Sequence, residues 1–273
     1  MNIINGLINM ELSIVILNYK MKGLVKNCLK TIYEQSFDFD FEIIVVDNAS
    51  KDKIEEELKD NHRKVRFVKA KRNNGFGSGI NLGLNEVKGE YVLILNPDIH
   101  LLQGSVEKML NYLKQNKKVG LVAPKLLNPD RTLQYTCYKW HNFWTPIYRR
   151  TFLGKLPWAK KDLDEFLMMD WDHNETRTVD WVQGSCMLIP KAVLDKVGHF
   201  DERFFMYFED TDLCRRIKLA EYAITYLAQA EVIHFHRRQS AEGGVFSILF
   251  NKMTRTHIFS WLKYFYKWRK DNN

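Results

Sequence analysis

The chain has 273 residues, of which 45% are hydrophobic and 27% are charged, and its formal net charge is +8. This composition is typical of a folded globular protein and argues against a disordered chain. The positive charge predicts an anionic partner, but it does not separate a nucleic acid, a nucleotide phosphate and an anionic membrane surface. The cysteines are scattered without a Cys-x-x-Cys pair, which argues against a zinc site or a disulfide framework and predicts reduced thiols: Cys28, Cys137, Cys186 and Cys214.

No targeting segment is recognisable in the sequence. Residues 1–10 lack the basic start and the long apolar core of a signal peptide. No later stretch approaches the ~18 uninterrupted apolar residues of a transmembrane helix. We therefore expect a cytoplasmic protein, either free or at the inner face of the cell membrane.

Strand and helix patterns alternate over the first half of the chain. Short β-prone runs predict strands at Leu12–Leu17, Glu42–Val46, Val65–Val68, Tyr91–Leu95 and Gly120–Ala123. The segments between them predict helices at Leu24–Tyr33, Asp52–Asp60, from Gly79 to about Val87, and at Ser105–Gln115. Repeated βα units predict an α/β fold with a mostly parallel central sheet, right-handed crossovers and flanking helices.

The run Tyr91–Leu95 is continuously apolar, as in a strand that is buried on both faces of a parallel sheet. Pro97 cannot donate a hydrogen bond to a neighbouring strand, so the strand should end at Asn96 and hold Asp98 just beyond its carboxyl end. Ligands bind at that edge of open α/β sheets. Taken alone, Asn96-Pro97-Asp98 also fits a simple turn.

A glycine-rich stretch, Gly75-x-Gly77-x-Gly79, follows the third predicted strand. Glycines before a helix allow a ligand to approach the backbone where the helix amides attract anions. The spacing is not Gly-x-Gly-x-x-Gly and the stretch does not follow the first strand, which argues against a Rossmann oxidoreductase. A tight turn without a ligand explains this motif equally well.

Polar side chains follow three of the predicted strands. Asn18 and Tyr19 follow the first strand, Asp47 follows the second, and Asp98 follows the fourth. The carboxyl ends of parallel strands meet at one edge of a sheet. Two carboxylates and a glycine-rich turn at that edge therefore predict a ligand-binding site.

Residues 125–178 break the alternation and mix aromatic with basic residues. Such a segment suits an acceptor site or a membrane contact, and an insertion packed by its own aromatic residues is an equal alternative. Regular elements are predicted again at Val179–Ile189, which Gly184 interrupts, and as short strands at Ala223–Tyr226 and Glu231–Phe235.

An aromatic run ends in a second group of acids, Glu209, Asp210 and Asp212, at the start of a predicted helix. The helix dipole explains one acid at that position. Three acids behind an aromatic wall also suit a general base, whose pKa the apolar surroundings would raise. Farther along, strand alternation places His234 and His236 on one face, either as structural residues or as ligands of a metal or a phosphate.

The C-terminal segment, residues 241–273, has basic and aromatic residues at helical spacing. From Val245 to Asn273, six basic residues oppose Asp271 alone, which gives a formal charge of +5. A helix of this kind suits the surface of an anionic membrane. A helix packed on the rest of the protein has the same pattern, and both alternatives stay open.

Taken together, these motifs resemble the family-2 inverting glycosyltransferases, and most of all their bacterial rhamnosyltransferase-like branch. The resemblance covers about residues 12–240 in the family's order, and an ordered set is more specific than any single motif. The matching stretches are Ser13–Tyr19, Val45–Ser50, Asn73–Gly79, Asn96–Asp98, Gly184, Phe208–Leu213 and Val232–His234. The resemblance implies a GT-A fold, a nucleotide-sugar donor, Mg²⁺ or Mn²⁺ as a cofactor, and inversion at the anomeric carbon.

The resemblance also implies a role for each matched residue. Asp210 corresponds to the catalytic base, and Asp98 with His234 corresponds to the ligands of the metal on the diphosphate. Asp47 would bind the pyrimidine base or the ribose. The full donor-binding set is Asn18, Tyr19, Asp47, Asn74, Gly75, Asn96 and Asp98, and the acceptor-binding set is Trp181, Gly184 and Glu209. Asn96 stands where many relatives have an aspartate, which predicts a thinner metal shell.

We therefore expect a metal-assisted glycosyltransferase that moves a sugar from a dTDP- or UDP-sugar, such as dTDP-rhamnose. The acceptor would be a saccharide or a polyprenyl-linked saccharide in bacterial cell-surface polysaccharide synthesis. A non-catalytic nucleotide- or nucleic-acid-binding protein is one alternative, and a Rossmann oxidoreductase is another. We expect no nucleic-acid partner, because carboxylates at the sheet edge repel phosphates unless a cation intervenes.

The same resemblance suggests a division of the chain. Residues 1–240 would form the GT-A domain, and residues 241–273 would form the C-terminal helical segment. Within the domain, we expect a nucleotide-binding half at about 10–124 and an acceptor half at about 125–240.

Overall fold

The central sheet runs through both predicted halves of the chain. The computed structural model describes residues 10–235 and 251–270. The strands of these residues are β1 Leu12–Asn18, β2 Phe41–Asp47, β3 Val65–Lys69, β4 Tyr91–Leu95, β5 Ile99–Leu101, β6 Val119–Leu127, β7 Cys137–Tyr138, β8 Arg177–Val179, β9 Trp181–Val182, β10 Cys186–Pro190 and β11 Ala223–His234. Nine of them form one sheet in the order β3-β2-β1-β4-β10-β6-β11-β5, with β8 also paired to β11, while β7 and β9 pair separately.

The sheet is mostly parallel, as predicted. Strands β3, β2, β1 and β4 run parallel to one another, and β11 runs parallel to β6. Strand β10 lies antiparallel between β4 and β6. The segment predicted at Val179–Ile189 with an interruption at Gly184 contains the end of β8, β9 and β10, which are separated by Asp180 and by the turn at Gly184.

Strand β11 corrects a prediction from the sequence. The two short strands expected at 223–226 and 231–235 are one long strand, whose register against β6 shifts between Leu227 and Glu231. A β-bulge of this kind interrupts the ladder without ending the strand. His234 lies at the end of β11, and His236 lies outside the described residues.

The helices connect the strands and cover the sheet. They are α1 Lys22–Tyr33, α2 Ile54–Asn61, α3 Phe76–Leu84, α4 Ser105–Gln115, α5 Thr145–Tyr148, α6 Pro157–Phe166, α7 Lys191–Val197, α8 Glu209–Leu219 and α9 Lys252–Lys267, with a 3₁₀ helix at Phe152–Lys155. In α1 the buried residues recur every three or four positions, which is the pattern of a helix lying on a sheet.

Two apolar clusters cover opposite faces of the sheet. In β1, Val15 and Leu17 belong to one cluster, while Ile14 and Ile16 belong to the other. Alternate side chains of a strand point to opposite faces. The uninterrupted apolar run therefore arises because both faces of the strand are buried.

Aromatic rings within residues 125–178 pack against one another. Tyr138 stacks on Phe166 with ring centroids 5.0 Å apart, and Tyr148 meets Trp158 edge to face at 5.3 Å. These contacts match the alternative of an insertion packed by its own aromatic residues. Some aromatic side chains of this insertion nevertheless stay exposed, including Phe143 at 42% and Trp144 at 53%.

Helix α9 packs on the rest of the protein through one face. Tyr264 and Trp268 are buried against Phe204 and Phe208. The opposite face is open to solvent, with Tyr266 69% exposed. Within the described ranges, none of the helices combines the length and the apolar character needed to span a membrane.

Candidate active site

The carboxyl ends of β1 and β2 are joined by a network of polar side chains. Asn18 Nδ2 donates a hydrogen bond to Asp47 Oδ1 at 3.0 Å, and the Ser50 hydroxyl donates to the same carboxylate. Asp52 accepts from Asn18 Nδ2 at 3.1 Å and from the Ser50 hydroxyl at 2.8 Å. Asp47 is only 4% exposed. The structure thus brings Asn18 and Asp47 together at one edge, as expected, and adds two residues that the sequence analysis missed.

Asp52 is held as a charged carboxylate. Burial acts to raise its pKa, but hydrogen bonds from Ser50 and Asn18 outweigh burial and lower the pKa of Asp52 below its usual value. Tyr19, the residue after Asn18, keeps 41% of its surface exposed. This edge therefore combines negative charge with an accessible aromatic ring.

The glycine-rich turn docks directly on the segment that precedes the second acidic group. Gly75 has φ +107°, and a Cβ at this position would lie 2.0 Å from the backbone oxygen of Phe205. The Phe76 amide donates a hydrogen bond to the same oxygen at 2.8 Å. Gly75 is therefore required by a close backbone approach within the protein. Asn74, beside it, is exposed, and its predicted role in the nucleotide pocket stays a prediction.

Asn48 and Asn73 fix this turn, and neither was singled out from the sequence. The Asn48 side chain donates to the Gly75 oxygen at 3.0 Å and to Asn73 Oδ1 at 3.1 Å. Asn73 Oδ1 also accepts from the Gly75 amide at 2.9 Å. These bonds tie the end of β2 to the turn before α3.

Asp98 and His234 meet where β4 ends and β11 reaches the same edge. His234 Nε2 lies 3.5 Å from Asp98 Oδ1, and the Phe235 amide donates to the Asp98 backbone oxygen at 2.9 Å. The His234 side chain is only 1% exposed and that of Asp98 is 17% exposed. Asn96, two residues before Asp98, is partly exposed at the end of β4. The two side chains proposed as metal ligands are therefore adjacent.

Gln134 orients the His234 ring from its far side. The Gln134 amide nitrogen donates to Asn128 Oδ1 at 2.7 Å and to the His234 backbone oxygen at 2.9 Å. Its amide oxygen therefore faces His234 Nδ1, 2.9 Å away, and accepts the proton of that nitrogen. In a neutral imidazole the lone pair then lies on Nε2, the nitrogen next to Asp98.

This donor set fits a divalent cation. A lone pair and a carboxylate at 3.5 Å repel each other unless a positive charge lies between them. Metal-bound histidines typically donate their other ring N–H to an oxygen, as His234 does to Gln134. No third Asp, Glu, His or Cys of the described residues joins the pair in a metal-binding cluster. The described side chains would therefore provide two ligands to such a cation.

The second acidic group lies at the start of α8. The Gly184 amide donates to Asp210 Oδ2 at 3.0 Å, and the Thr211 amide donates to Asp210 Oδ1 at 2.8 Å. A Cβ on Gly184 would lie 3.2 Å from the Asp210 Cβ, which is a tight contact. The predicted neighbours Gly184 and Asp210 are therefore in contact.

Burial makes both adjacent acids weak. Burial and the nearby Asp210 raise the pKa of Glu209 well above its ordinary value. Burial also raises the pKa of Asp210, against the lowering effect of the hydrogen bonds from Gly184 and Thr211. Glu209 Oε2 has no hydrogen-bond partner among the described residues. A carboxylate with a raised pKa is a stronger base, so both acids are candidates for proton transfer.

The backbone in front of these acids is strained. Tyr207 and Phe208 have φ of 69° and 67°, in the left-handed region that residues with a side chain rarely adopt. Each such residue costs about 1–3 kcal/mol and persists only where the surroundings enforce it. Two in succession turn the chain so that α8 begins directly at Glu209.

Asp212 is surrounded by side chains that bind its carboxylate. It is fully buried, and its carboxylate contacts Arg216 Nε at 3.0 Å, Lys267 Nζ at 2.5 Å and Trp268 Nε1 at 2.9 Å. These contacts link α8 to α9. Of the three acids, Asp212 is therefore the one that stabilises the fold.

Trp181, three residues after the insertion, packs against aromatic rings of the insertion. It is 6% exposed, its ring stacks with Tyr138 and His141, and its Nε1 donates to the Lys139 oxygen at 2.9 Å. Little of its surface is therefore available to an acceptor. A direct acceptor contact by Trp181 stays a prediction, while the structure shows that it supports its neighbours.

Comparison with known protein families supports the assignment that these residues suggest. The model named glycosyl transferase family 2 matches residues 13–169, which is more than half of the chain. The chain belongs to glycosyl transferase family 2. As a family-2 chain it is a glycosyltransferase, which removes the Rossmann oxidoreductase and the non-catalytic binding protein as interpretations.

Relatives of known name extend over most of this family-2 chain. It is 27% identical over 235 residues to the low-salt glycan biosynthesis hexosyltransferase Agl10 of Haloferax volcanii, covering 82% of this chain and 67% of the relative. It is 28% identical over 236 residues to N-acetylglucosaminyl-diphospho-decaprenol L-rhamnosyltransferase of Mycobacterium tuberculosis, covering 80% of this chain and 73% of the relative. Both relatives bear names of sugar-transferring enzymes.

A solved structure confirms the fold. The mannosyltransferase PcManGT from Pyrobaculum calidifontis, in complex with GDP-Man and Mn²⁺, superposes with a TM-score of 0.58 at 16% identity. The match covers 85% of this chain and 58% of that chain, so this family-2 chain spans little more than half of that structure. The expected GT-A-type α/β fold is confirmed.

Proposed function

We propose that this family-2 chain is a divalent-metal-dependent, inverting glycosyltransferase that uses a nucleoside-diphosphate sugar. The proposal rests on the contact between Phe205, four residues before Glu209, and the Gly75 turn, which Asn48 ties to the end of β2. A donor site at this edge and a base on α8 would then be close together. The mannosyltransferase with a similar fold was solved with GDP-Man and Mn²⁺, which supports this class of donor.

The end of β2 would bind the nucleoside. The hydrogen bond of 3.0 Å from Asn18 to Asp47 fixes the orientation of both side chains. Their remaining donor and acceptor atoms therefore have fixed directions. Tyr19, directly after Asn18, and Asn74, next to the Asn73 side chain that Asn48 contacts, are exposed and would contact the base or the ribose. A pyrimidine nucleotide, dTDP or UDP, is the donor nucleotide that we propose.

The end of β4 would hold the diphosphate through Asp98, His234 and a divalent cation, with Asn96 beside them. When bound, the cation would neutralise the charge that develops on the leaving diphosphate. A cation of this type with only two protein ligands completes its shell with substrate phosphates and water. Gln134 would keep His234 Nε2 unprotonated and available.

Asp210 would take the proton of the acceptor hydroxyl. Its raised pKa makes it a better proton acceptor, and the Gly184 and Thr211 amides hold both of its oxygens. A single base without a protein nucleophile gives one displacement at the anomeric carbon and hence inversion. Glu209, with its higher pKa, would remain protonated and donate a hydrogen bond to a sugar hydroxyl.

For the transferred sugar and the acceptor we propose L-rhamnose and a lipid-diphosphate-linked saccharide. The name of the mycobacterial relative specifies both. A reaction of this kind would belong to the assembly of a cell-surface glycan. The exposed aromatic residues of α9 and of the insertion would bring the enzyme to the membrane that contains such an acceptor.

A thermal-shift panel of nucleotide sugars tests the proposal. A ligand that binds only the native state raises the melting temperature, by an amount set by its affinity and concentration. We expect a dTDP- or UDP-sugar to stabilise the wild type more with Mn²⁺ than without it, and Asp47→Ala to abolish both effects. No stabilisation by any nucleotide sugar, with or without metal, would contradict the proposed function.

A further inference from the structure

Helix α9 contacts the strained turn that precedes the acids of α8. Ser260 Oγ donates a hydrogen bond of 2.8 Å to the Met206 backbone oxygen, and Ser260 is only 2% exposed. Met206 immediately precedes Tyr207 and Phe208, the two residues with φ of 69° and 67°. A side chain of α9 is therefore bonded to the backbone directly before the strained residues.

The same face of α9 packs on the side chains of this turn. The His257 ring lies 4.9 Å from the Tyr207 ring and 5.3 Å from the Phe208 ring, measured between centroids. The Tyr264 ring lies 5.2 Å from the Phe208 ring. His257, Ser260 and Tyr264 follow one another at spacings of three and four positions, so they lie on one face of the helix. This face contacts both the backbone and the rings of the turn.

The residue that begins α8 is not fixed by a capping side chain. The N-cap is Phe208, in the left-handed region, and its side chain has no oxygen that could accept a hydrogen bond from the helix amides. By contrast, Asn251 caps α9 by accepting a hydrogen bond of 2.8 Å from the Met253 amide. Strained residues persist only where their surroundings enforce them, so the start of α8 depends on contacts from other segments.

Two successive backbone oxygens anchor the turn to two different segments. The Phe205 oxygen accepts from the Phe76 amide of the glycine-rich turn at 2.8 Å, and the next oxygen, that of Met206, accepts from Ser260 on α9. Asp210 lies only four residues after Met206, and its Oδ2 accepts from the Gly184 amide at 3.0 Å. A shift of the turn would therefore move the Asp210 carboxylate relative to that amide.

We propose that Ser260 is a positioning residue for the reaction, because its hydrogen bond to Met206 holds the strained turn and thereby sets the position of Asp210. The inference rests on the proposed function, in which Asp210 is the base, and adds the residue that places this base. Misplacing a reacting group by about 1 Å can lower a rate about 10²-fold. Ser260 acts through Asp210 and needs no contact with a substrate.

Hydrogen exchange of the full-length protein, which needs no substrate, tests whether Ser260 holds the turn. In Ser260→Ala we expect the backbone amides of residues 206–213 to exchange about fivefold to tenfold faster than in the wild type, as expected for one lost hydrogen bond. Thr256→Ala is the matched control and should exchange as the wild type does, because the Thr256 hydroxyl donates to the Lys252 oxygen of its own helix. Unchanged exchange of residues 206–213 in Ser260→Ala would overturn the proposal.

Turnover separates positioning from a purely structural role. The donor is dTDP-rhamnose and the acceptor is a polyprenyl-diphosphate-linked saccharide, both at saturating concentration. Turnover of Ser260→Ala should fall about tenfold below that of the wild type at an unchanged KM for the donor, while Thr256→Ala should keep the turnover of the wild type. A lower melting temperature of Ser260→Ala with wild-type turnover would overturn the proposal, since the hydroxyl would then serve only the fold.

The same substitution in an Asp210→Asn background identifies the group that Ser260 positions. The loss of turnover caused by Ser260→Ala should vanish there, because no base is left to misplace. A loss of the same size in both backgrounds would overturn the proposal. A fully active Asp210→Asn would contradict the proposed function, whereas an inactive Asp210→Asn together with an unaffected Ser260→Ala would contradict only the role of Ser260.

Discussion

His234 Nε2 lies 3.5 Å from Asp98 Oδ1, while the opposite ring nitrogen of His234 is bonded to Gln134 at 2.9 Å. The proton on Nδ1 is thereby committed to Gln134, and in the neutral imidazole the lone pair of Nε2 lies next to a carboxylate. In that form the two facing atoms are both electron-rich. Their closeness is favourable once a cation binds between them, which makes this pair the place where metal dependence can be tested.

The first prediction concerns Gln134. Gln134→Leu removes the acceptor that fixes the His234 tautomer, so the affinity for Mn²⁺ in the presence of UDP should fall about 10–100-fold, the usual effect of losing such a partner. Calorimetric titration with Mn²⁺ measures this change. Asp98→Asn should lower the affinity for Mn²⁺ more strongly. Gln229→Leu changes an exposed glutamine of β11, the strand that contains His234, and this matched control should bind Mn²⁺ as the wild type does. If Gln134→Leu binds Mn²⁺ with the affinity of the wild type, the contact between Gln134 and His234 serves the fold and not metal binding.

The alternation of strands and helices was predictable from the sequence because each element has its own periodicity. Tyr91–Leu95 was predicted with the observed bounds, since a strand buried on both faces has no polar interruption. The antiparallel insertion of β10 between β4 and β6 was not predictable. Strand order depends on contacts between segments that are far apart in the sequence, and a local hydrophobic pattern does not predict those contacts.

The candidate site was predictable where a residue ends a strand, as for Asp47 and Asp98. Gln134 was missed because it lies in an irregular segment and is 100 positions away from its partner His234. Asp52 was missed for a related reason, since its contact with Asn18 spans 34 positions. Supporting residues of this kind have no motif of their own. Their position is visible only after the fold brings the segments together.

The second prediction concerns Glu209 and pH. Burial raises the pKa of Glu209 above its ordinary value of 4.5, so above pH 4.5 the folded state keeps a proton that the unfolded state releases. Stability should therefore fall as the pH rises through this range. Glu209→Gln removes this dependence and should raise the melting temperature at pH 7, with a gain that vanishes below pH 4.5. Glu34→Gln, at an exposed position, is the control. An unchanged melting temperature at both pH values would show that Glu209 is not destabilising.

The third prediction concerns Asp212. Asp212→Asn removes the charge that faces Arg216 and Lys267, and the lost charge-assisted hydrogen bonds should lower the free energy of unfolding by about 1.5–3 kcal/mol. Urea denaturation measures this loss. The affinity for nucleotide sugar should not change. Asp195→Asn breaks an exposed pair with Lys191 and should cost less than about 1 kcal/mol. A larger effect on donor binding than on stability would contradict the structural role of Asp212.

The fourth prediction concerns the exposed face of α9. Phe259 and Tyr266 are 62% and 69% exposed, and they lie seven positions apart, on the same face of the helix. We expect the wild type to sediment with vesicles of phosphatidylcholine and phosphatidylglycerol, and to bind less at high salt. Phe259→Ser combined with Tyr266→Ser should abolish sedimentation without unfolding, whereas Tyr33→Ser, on α1, should not. Equal sedimentation of the double variant and the wild type would exclude this face as the membrane contact.

The fifth prediction concerns the base. Asp210→Asn keeps the size of the side chain, and its amide group cannot accept the acceptor proton. Turnover with donor and acceptor both saturating should therefore fall by roughly 10²–10⁴, the usual contribution of a general base. Donor affinity should stay near that of the wild type, because Asp210 acts on the acceptor side, and the variant should remain folded, because the substitution removes a buried charge.

Turnover of Asp210→Asn, measured side by side with Glu209→Gln, tests the central claim most directly. The proposed mechanism predicts a folded, donor-binding and nearly inactive Asp210→Asn, with a Glu209→Gln that retains most of its turnover. If Asp210→Asn is active and Glu209→Gln is folded but inactive, the general base is Glu209 and not Asp210. Full activity in both variants would contradict a catalytic role for the acids of α8.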